Sequence, residues 1–163
     1  MIVVFALLAF VAVTIFKGVR IVPQGYKWIV QRLGKYHTTL SPGLNFVIPY
    51  VDEVAYKVTT KDIVLDIPSQ EVISRDNAVL LMNAVAYINL TTPEKAVYGI
   101  ENYVWAIQNL VQTSLRSITG EMSLDDALSS RDHIKAKLKA AISDDISDWG
   151  ITLKTVEIQD IKP

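Results

Sequence analysis

The sequence predicts an α+β fold behind an N-terminal membrane helix, on three observations. Residues 1–16 form an apolar run, strand-forming and alternating segments fill 26–90, and beyond Thr92 the apolar spacing changes to three and four before alternation resumes at Ile151.

The opening run, MIVVFALLAFVAVTIF, has no charged side chain and a single polar one, Thr14. Its apolar members are Ile2, Val3, Val4, Phe5, Leu7, Leu8, Phe10, Val11, Val13, Ile15 and Phe16. As a helix it reaches about 24 Å, short of the ~30 Å hydrocarbon core of a bilayer. Gly18, Val19, Ile21 and Val22 extend the apolar character, and Lys17 and Arg20 have stems long enough to snorkel. Residues 1–22 are therefore expected to form a transmembrane anchor. A cleaved signal peptide would want a basic n-region and a better cleavage site than Ala12-Val13-Thr14. A surface-packed core helix would show a polar stripe, which this run lacks. Lys17, Arg20, Lys27, Arg32 and Lys35 all follow the run, so the positive-inside rule predicts a single pass of the inner cell membrane. The N-terminus would lie outside and the rest of the chain on the cytoplasmic side.

Pro23-Gln24-Gly25 ends the anchor, and Tyr26 to Leu33 reads as a strand closed by Gly34. Ser41-Pro42-Gly43 is a turn signal, after which Leu44, Phe46 and Ile48 alternate up to Pro49. Strands are expected over 51–58 and 61–67, the latter bounded by Pro68. From Val79 to Leu90 every even position is apolar, which gives that strand a core face. Thr92-Pro93-Glu94 starts a helix with a capping hydroxyl, an N1 proline and an acid at the positive dipole end. The spacing of Val104, Ile107, Val111, Leu115 and Ile118 predicts a helix over 102–118 stopped by Gly120. Ser123 caps a short helix over 124–129, and Ser130 caps another whose face is Ile134, Leu138, Ala141, Ile142 and Ile146. Gly150 stops it. In the last strand the apolar set moves from Ile151 and Leu153 to Val156 and Ile158, which predicts a bulge near Lys154-Thr155.

Composition narrows the function classes. A net charge of −1 supplies no basic field for nucleic acid, and the absence of cysteine removes disulfides, thiolate metal sites and thiol catalysis. No glycine-rich phosphate cradle is present, and no cofactor is expected. Asp125-Asp126 and Asp144-Asp145 are consecutive acids without the ligand spacing of a metal loop. Ser129, Ser130, Asp132 and His133 invite a hydrolase reading, but neighbours on a helix point about 100° apart, so Asp132 would not orient His133. A non-enzymatic role is expected, with a membrane-tethered hydrolase using Ser130 and His133 as one alternative. The other is a lipid-binding module in which Tyr26, Trp28, Phe46 and Tyr50 meet the membrane surface. Arg116, Glu121, Asp125, Arg131 and Asp132 gather both signs around the short middle helix. They form a solvated surface or, on the sharper reading, a subunit interface of alternating charge between identical neighbours.

Val22-Pro23-Gln24-Gly25 and Leu40-Ser41-Pro42-Gly43-Leu44-Asn45-Phe46-Val47-Ile48-Pro49 resemble the SPFH superfamily of stomatins, prohibitins and flotillins. Asp66-Ile67-Pro68-Ser69-Gln70-Glu71, Ser74-Arg75-Asp76-Asn77, Leu115-Arg116-Ser117 and Trp149-Gly150-Ile151 are similar to its stomatin-like paraslipin branch. The resemblance implies an SPFH domain over 23–163, with a β-rich lobe to about 75 and an α/β lobe after it. It implies a membrane scaffold that forms large homo-oligomeric rings or cages, gathers lipids into a microdomain and modulates membrane proteases. An NfeD-type membrane protein is an implied partner. The resemblance also implies a coiled-coil region beyond the point matching Ile161-Lys162-Pro163; it is absent from this chain, which is therefore expected to be the N-terminal part of a longer protein.

Overall fold

In the computed structural model, which describes residues 1–163, the chain divides into two compact units, Met1–Lys61 and Asp62–Pro163. The division falls earlier than the boundary expected near 75, because the strand ahead of Pro68 belongs with everything that follows it.

Helix α1 (Ile2–Gly18) opens the first unit. The anchor expected over 1–22 does not form as one helix. The helix ends at Gly18, Val19–Val22 form strand β1, and no helix of the structure is long and apolar enough to cross a membrane. Val19, Ile21 and Val22 are β-branched, which suits a pleated strand better than a helix end. They find a partner in β4 (Gly43–Phe46), and Val22 is buried. A second sheet has the order β3-β2-β5, all antiparallel, from β2 (Tyr26–Arg32), β3 (Lys35–Leu40) and β5 (Asp52–Thr59). Leu33 and Gly34 join β2 to β3 with φ values of 52° and 83°. Positive φ at both central residues is what a two-residue hairpin loop requires to match strand twist. Val22, Val30, Leu40 and Val47 form the core of this unit, with Trp28 and Val54 packed at its edge.

The second unit is a three-stranded antiparallel sheet, β6-β7-β8, built from β6 (Ile63–Ile73), β7 (Val79–Leu90) and β8 (Ile151–Lys162). Proline does not end β6 as expected. Pro68 and Ser69 lie unpaired between Ile67 and Gln70, and pairing with β7 resumes beyond them. An edge strand tolerates this, since a bulge there needs no ladder donor from proline. The even residues of β7, from Leu80 to Leu90, are all buried. Against that side pack α3 (Tyr103–Gly120) over β6 and α5 (Arg131–Ser147) over β8, with α2 (Pro93–Gly99) and α4 (Leu124–Ser129) as short connectors.

Ile134, Leu138, Ile142 and Ile146 of α5 recur every four residues and are completely buried, each worth about 1.5–3 kcal/mol of transfer free energy. Ala141, expected on that face, is exposed. Helix starts follow the capping rules in part. Ser123 Oγ accepts from Asp126 N at 3.2 Å and Asn102 Oδ1 accepts from Trp105 N at 3.1 Å. Thr92 and Ser130 occupy N-cap positions without a side-chain cap bond. Gly120 remains inside the last turn of α3, and Glu121 follows as C-cap.

Strand β8 carries the expected bulge at Lys154, which has no residue opposite it between the pairs Ile88–Leu153 and Tyr87–Thr155. A second bulge follows at Gln159, skipped between Ala84–Ile158 and Asn83–Asp160. Both bulged carbonyls accept a cation from α5: Lys139 Nζ reaches Lys154 O and Arg131 Nη1 reaches Gln159 O, each at 3.3 Å.

Candidate membrane-facing surface

The joint between α1 and the strands is closely packed at Gly18. Val47 N donates to Gly18 O at 2.7 Å, and a Cβ on Gly18 would lie 2.6 Å from Val47 O. Only glycine permits that approach. Arg20 Nη1 donates to the carbonyls of Lys17 at 2.6 Å and Val19 at 3.1 Å, satisfying acceptors that the helix end leaves open. Helix and strand thus meet without a linker.

Immediately beyond the joint lies a two-stranded ribbon with an unusual outer face. Register pairs Val19 with Phe46 and Ile21 with Leu44, and directly opposed residues share a face. The alternate residue Val22 enters the core, so these four point away from it. Ile21, Leu44 and Phe46 are 69%, 65% and 67% exposed. Ile48 and Tyr50, also exposed, continue the apolar surface past β4. The residues of α1 from Ile2 to Phe16 are exposed around the whole helix apart from half-buried Thr14, whose hydroxyl donates to Phe10 O at 2.8 Å. A contiguous apolar surface of this size marks an interaction site.

The turn bearing Tyr50 is held by a charged brace. Arg32 Nε and Nη2 donate to the two oxygens of Asp52 at 2.7 and 3.2 Å, and Ile48 N donates to Asp52 Oδ2 at 3.0 Å. Tyr50 sits at φ 73°, a left-handed conformation that costs a tyrosine backbone energy and aims its ring outward under Lys17 Nζ, 5.7 Å from the ring centroid. The Arg32 hydrogen bonds, aided by the Ile48 N–H, lower the Asp52 pKa to about 2, and only 3% of its side chain is exposed. The folded value lies below the unfolded one, so this stabilisation is complete above about pH 4 and is lost as pH falls toward 2. The wild-type protein should melt above the Asp52→Asn variant at pH 7, with the gap closing between pH 4 and 2. A gap that persists undiminished at pH 2 would contradict this role.

Of the aromatic residues expected at a membrane surface, Phe46 and Tyr50 join this patch. Trp28 instead packs at the edge of the core, with Lys57 Nζ 4.5 Å above it, and Tyr26 lies on β2 beside Lys61. Sequence reasoning missed Gly18, Ile21, Leu44, Ile48 and Asp52 as site residues. The shared parity of Leu44, Phe46 and Ile48 was the available signal, whereas Ile21 was absorbed into the anchor.

The mixed-charge set is spread across the second unit. Arg116 on α3 donates to Gln70 Oε1 of β6 at 3.0 Å, whereas Arg131 on α5 reaches β8, the opposite edge strand. Glu121, Asp125 and Asp132 are exposed near the ends of the helices. Ser129 Oγ donates to Asp125 O at 2.7 Å, and His133 is exposed on α5. In the Ser74–Asn77 motif, the Ser74 hydroxyl, helped by the backbone N–H groups of Asp76 itself and of Leu124, holds the Asp76 carboxyl below the usual carboxylate range, and the Leu124 bond ties the β6–β7 hairpin to α4.

A helix fixed to a small β unit, followed by a three-stranded sheet with helices over one side, is the α+β architecture of an SPFH-type domain. Comparison with known proteins agrees. The model of the SPFH domain / Band 7 family matches residues 20–163, and the chain belongs to that family. An uncharacterised protein of Methanocaldococcus jannaschii is 41% identical over 149 residues, covering 91% of this chain and 74% of its own length. Human mitochondrial stomatin-like protein 2 is 39% identical over 140 residues, 86% of this chain and 39% of that protein. An uncharacterised protein of Mycobacterium tuberculosis is 35% identical over 157 residues, 96% of this chain and 41% of that one. The chain therefore spans about two fifths of the mycobacterial and human relatives it matches.

Proposed function

We propose that this chain is the membrane-tethered part of an assembly scaffold. The observation that carries the reading is the run of exposed apolar residues along α1 and across the outer face of the β1–β4 ribbon, which follows the helix without a linker. At about 1.5 Å per residue α1 is shorter than a bilayer core is thick, so it acts as an embedded tether and draws the ribbon against the lipid surface. Arg116 and Arg131, set against opposite edges of one sheet, suit a head-to-tail contact, in which each copy presents two different flanks. Repeated around a ring, such contacts would enclose a patch of lipid and act on the membrane proteins inside it, proteases and an NfeD-type partner among them. Membership of the SPFH domain / Band 7 family supports this role.

The test is the size of the protein extracted from membranes in mild detergent. The expected result is a large homo-oligomer that shrinks when Arg116 and Arg131 are both replaced by glutamate. A monodisperse monomer from the wild-type chain would sink the assembly reading.

A further inference from the structure

The near-neutral total charge conceals a division between the two units. Met1–Lys61 holds seven lysines and arginines against two acids, a net +5, and Asp62–Pro163 holds nine against fifteen, a net −6, which together give the −1 of the whole chain. Within the first unit Arg32 is neutralised by Asp52, leaving six cations and a single acid, Glu53. The unit that carries the apolar helix and ribbon is therefore also the basic one.

The cations are paired with aromatic rings. Lys17, Lys57 and Lys61 stand over Tyr50, Trp28 and Tyr26 at 5.7, 4.5 and 5.9 Å. Trp28 lies directly opposite Lys57, and Tyr26 opposite Thr59, so these two rings and their lysines share one side of the β2–β5 pair. Tyrosine and tryptophan favour the zone between hydrocarbon and headgroup, and ammonium groups beside them reach phosphate level. Lys17 lies in the last turn of α1 and Arg20 three residues on, so embedding the helix sets both at that level.

We propose, resting on the tether reading above, that the first unit selects anionic phospholipid, its lysines and Arg20 engaging headgroup phosphates while the aromatic rings and the ribbon take the interfacial carbon. Charge complementarity singles out an anionic lipid surface as the occupant. Each cation held near such a surface contributes about fivefold in partition, attenuated by salt. The acidic second unit gains nothing from the same surface.

The experiment offers the detergent-solubilised full chain a choice between vesicles of phosphatidylcholine alone and vesicles containing phosphatidylglycerol, at constant total lipid, separated by flotation. The wild-type chain should accumulate on the anionic vesicles by tenfold or more at low salt and approach parity at high salt. Lys57→Gln with Lys61→Gln should cut the preference by about 25-fold or abolish it, whereas Lys57→Arg with Lys61→Arg should retain it. Inorganic phosphate at fixed ionic strength should not compete; competition would mean a free-phosphate site and overturn the lipid assignment. Equal binding to both vesicles, or a preference unmoved by salt and by the glutamine variant, overturns the proposal and leaves the tether intact. Binding to neither removes the tether reading and this proposal with it.

Discussion

Replacing Gly150 by valine is expected to destabilise the second unit by about 3 kcal/mol or more, a loss large against the marginal stability of a domain. Gly150 sits at φ +69°, and a left-handed residue with a branched side chain costs on the order of 1–2 kcal/mol by itself. Space is the second objection. A Cβ there would lie 2.5 Å from Thr92 O, 2.8 Å from Thr92 Cβ and 2.9 Å from Lys95 Cβ. The approach cannot relax cheaply, because Thr92 N donates to Gly150 O at 2.9 Å and holds the end of β7 against the start of β8. Gly99→Ala is the control, since nothing lies within 4 Å of its added methyl; it should be neutral or slightly stabilising. Urea unfolding followed by circular dichroism compares the two. A valine variant that unfolds at the wild-type midpoint would show that the β7–β8 end has slack which these distances deny.

Leu8→Lys combined with Val11→Lys should detach the chain from membranes. The two positions lie near the middle of α1, where a lysine costs about 2.5–3.5 kcal/mol relative to water and an aliphatic residue gains a few tenths. Together they remove about 6 kcal/mol, which exceeds a ten-thousandfold change in partition before snorkelling softens it. The folded units should be untouched, because both side chains are exposed and neither belongs to a core. Flotation with vesicles reads the result, and circular dichroism confirms that the strands remain. A double variant that floats like the wild type would falsify the embedding of α1.

The second unit was the more legible in sequence, for physical reasons. β7 carries an apolar residue at every even position because all of those positions are buried, and α5 repeats every four residues because Ile134, Leu138, Ile142 and Ile146 form one buried stripe. The bulge at Lys154 announced itself by moving the apolar set from odd to even positions. The one at Gln159 was hidden, since only Ile161 remains after it to report the new register. β3 is largely exposed and polar, so it has no alternation to detect. β1 was masked by composition: Val19, Ile21 and Val22 are as apolar as the helix they follow, and only the facing strand β4 decides their conformation. Of the aromatic residues expected at a membrane surface, Phe46 and Tyr50 lie on the exposed apolar face and Trp28 beside a core, a difference the sequence hides because an aromatic residue reads alike in both places. The segregation of charge was invisible until the chain could be divided at Lys61.

The two cation-covered bulges of β8 bear on what happens when copies stand side by side. An edge strand is a template onto which another chain can zip, and close packing at a membrane raises the local concentration of such edges. In β8 the uninterrupted stretch between Lys154 and Gln159 is Thr155–Ile158, about 13 Å long and shorter than a usual strand. On the other margin of the sheet, Pro68 interrupts β6 in the same way. A second copy brought beside either margin of the sheet would meet side chains before it found an uninterrupted backbone edge to pair with.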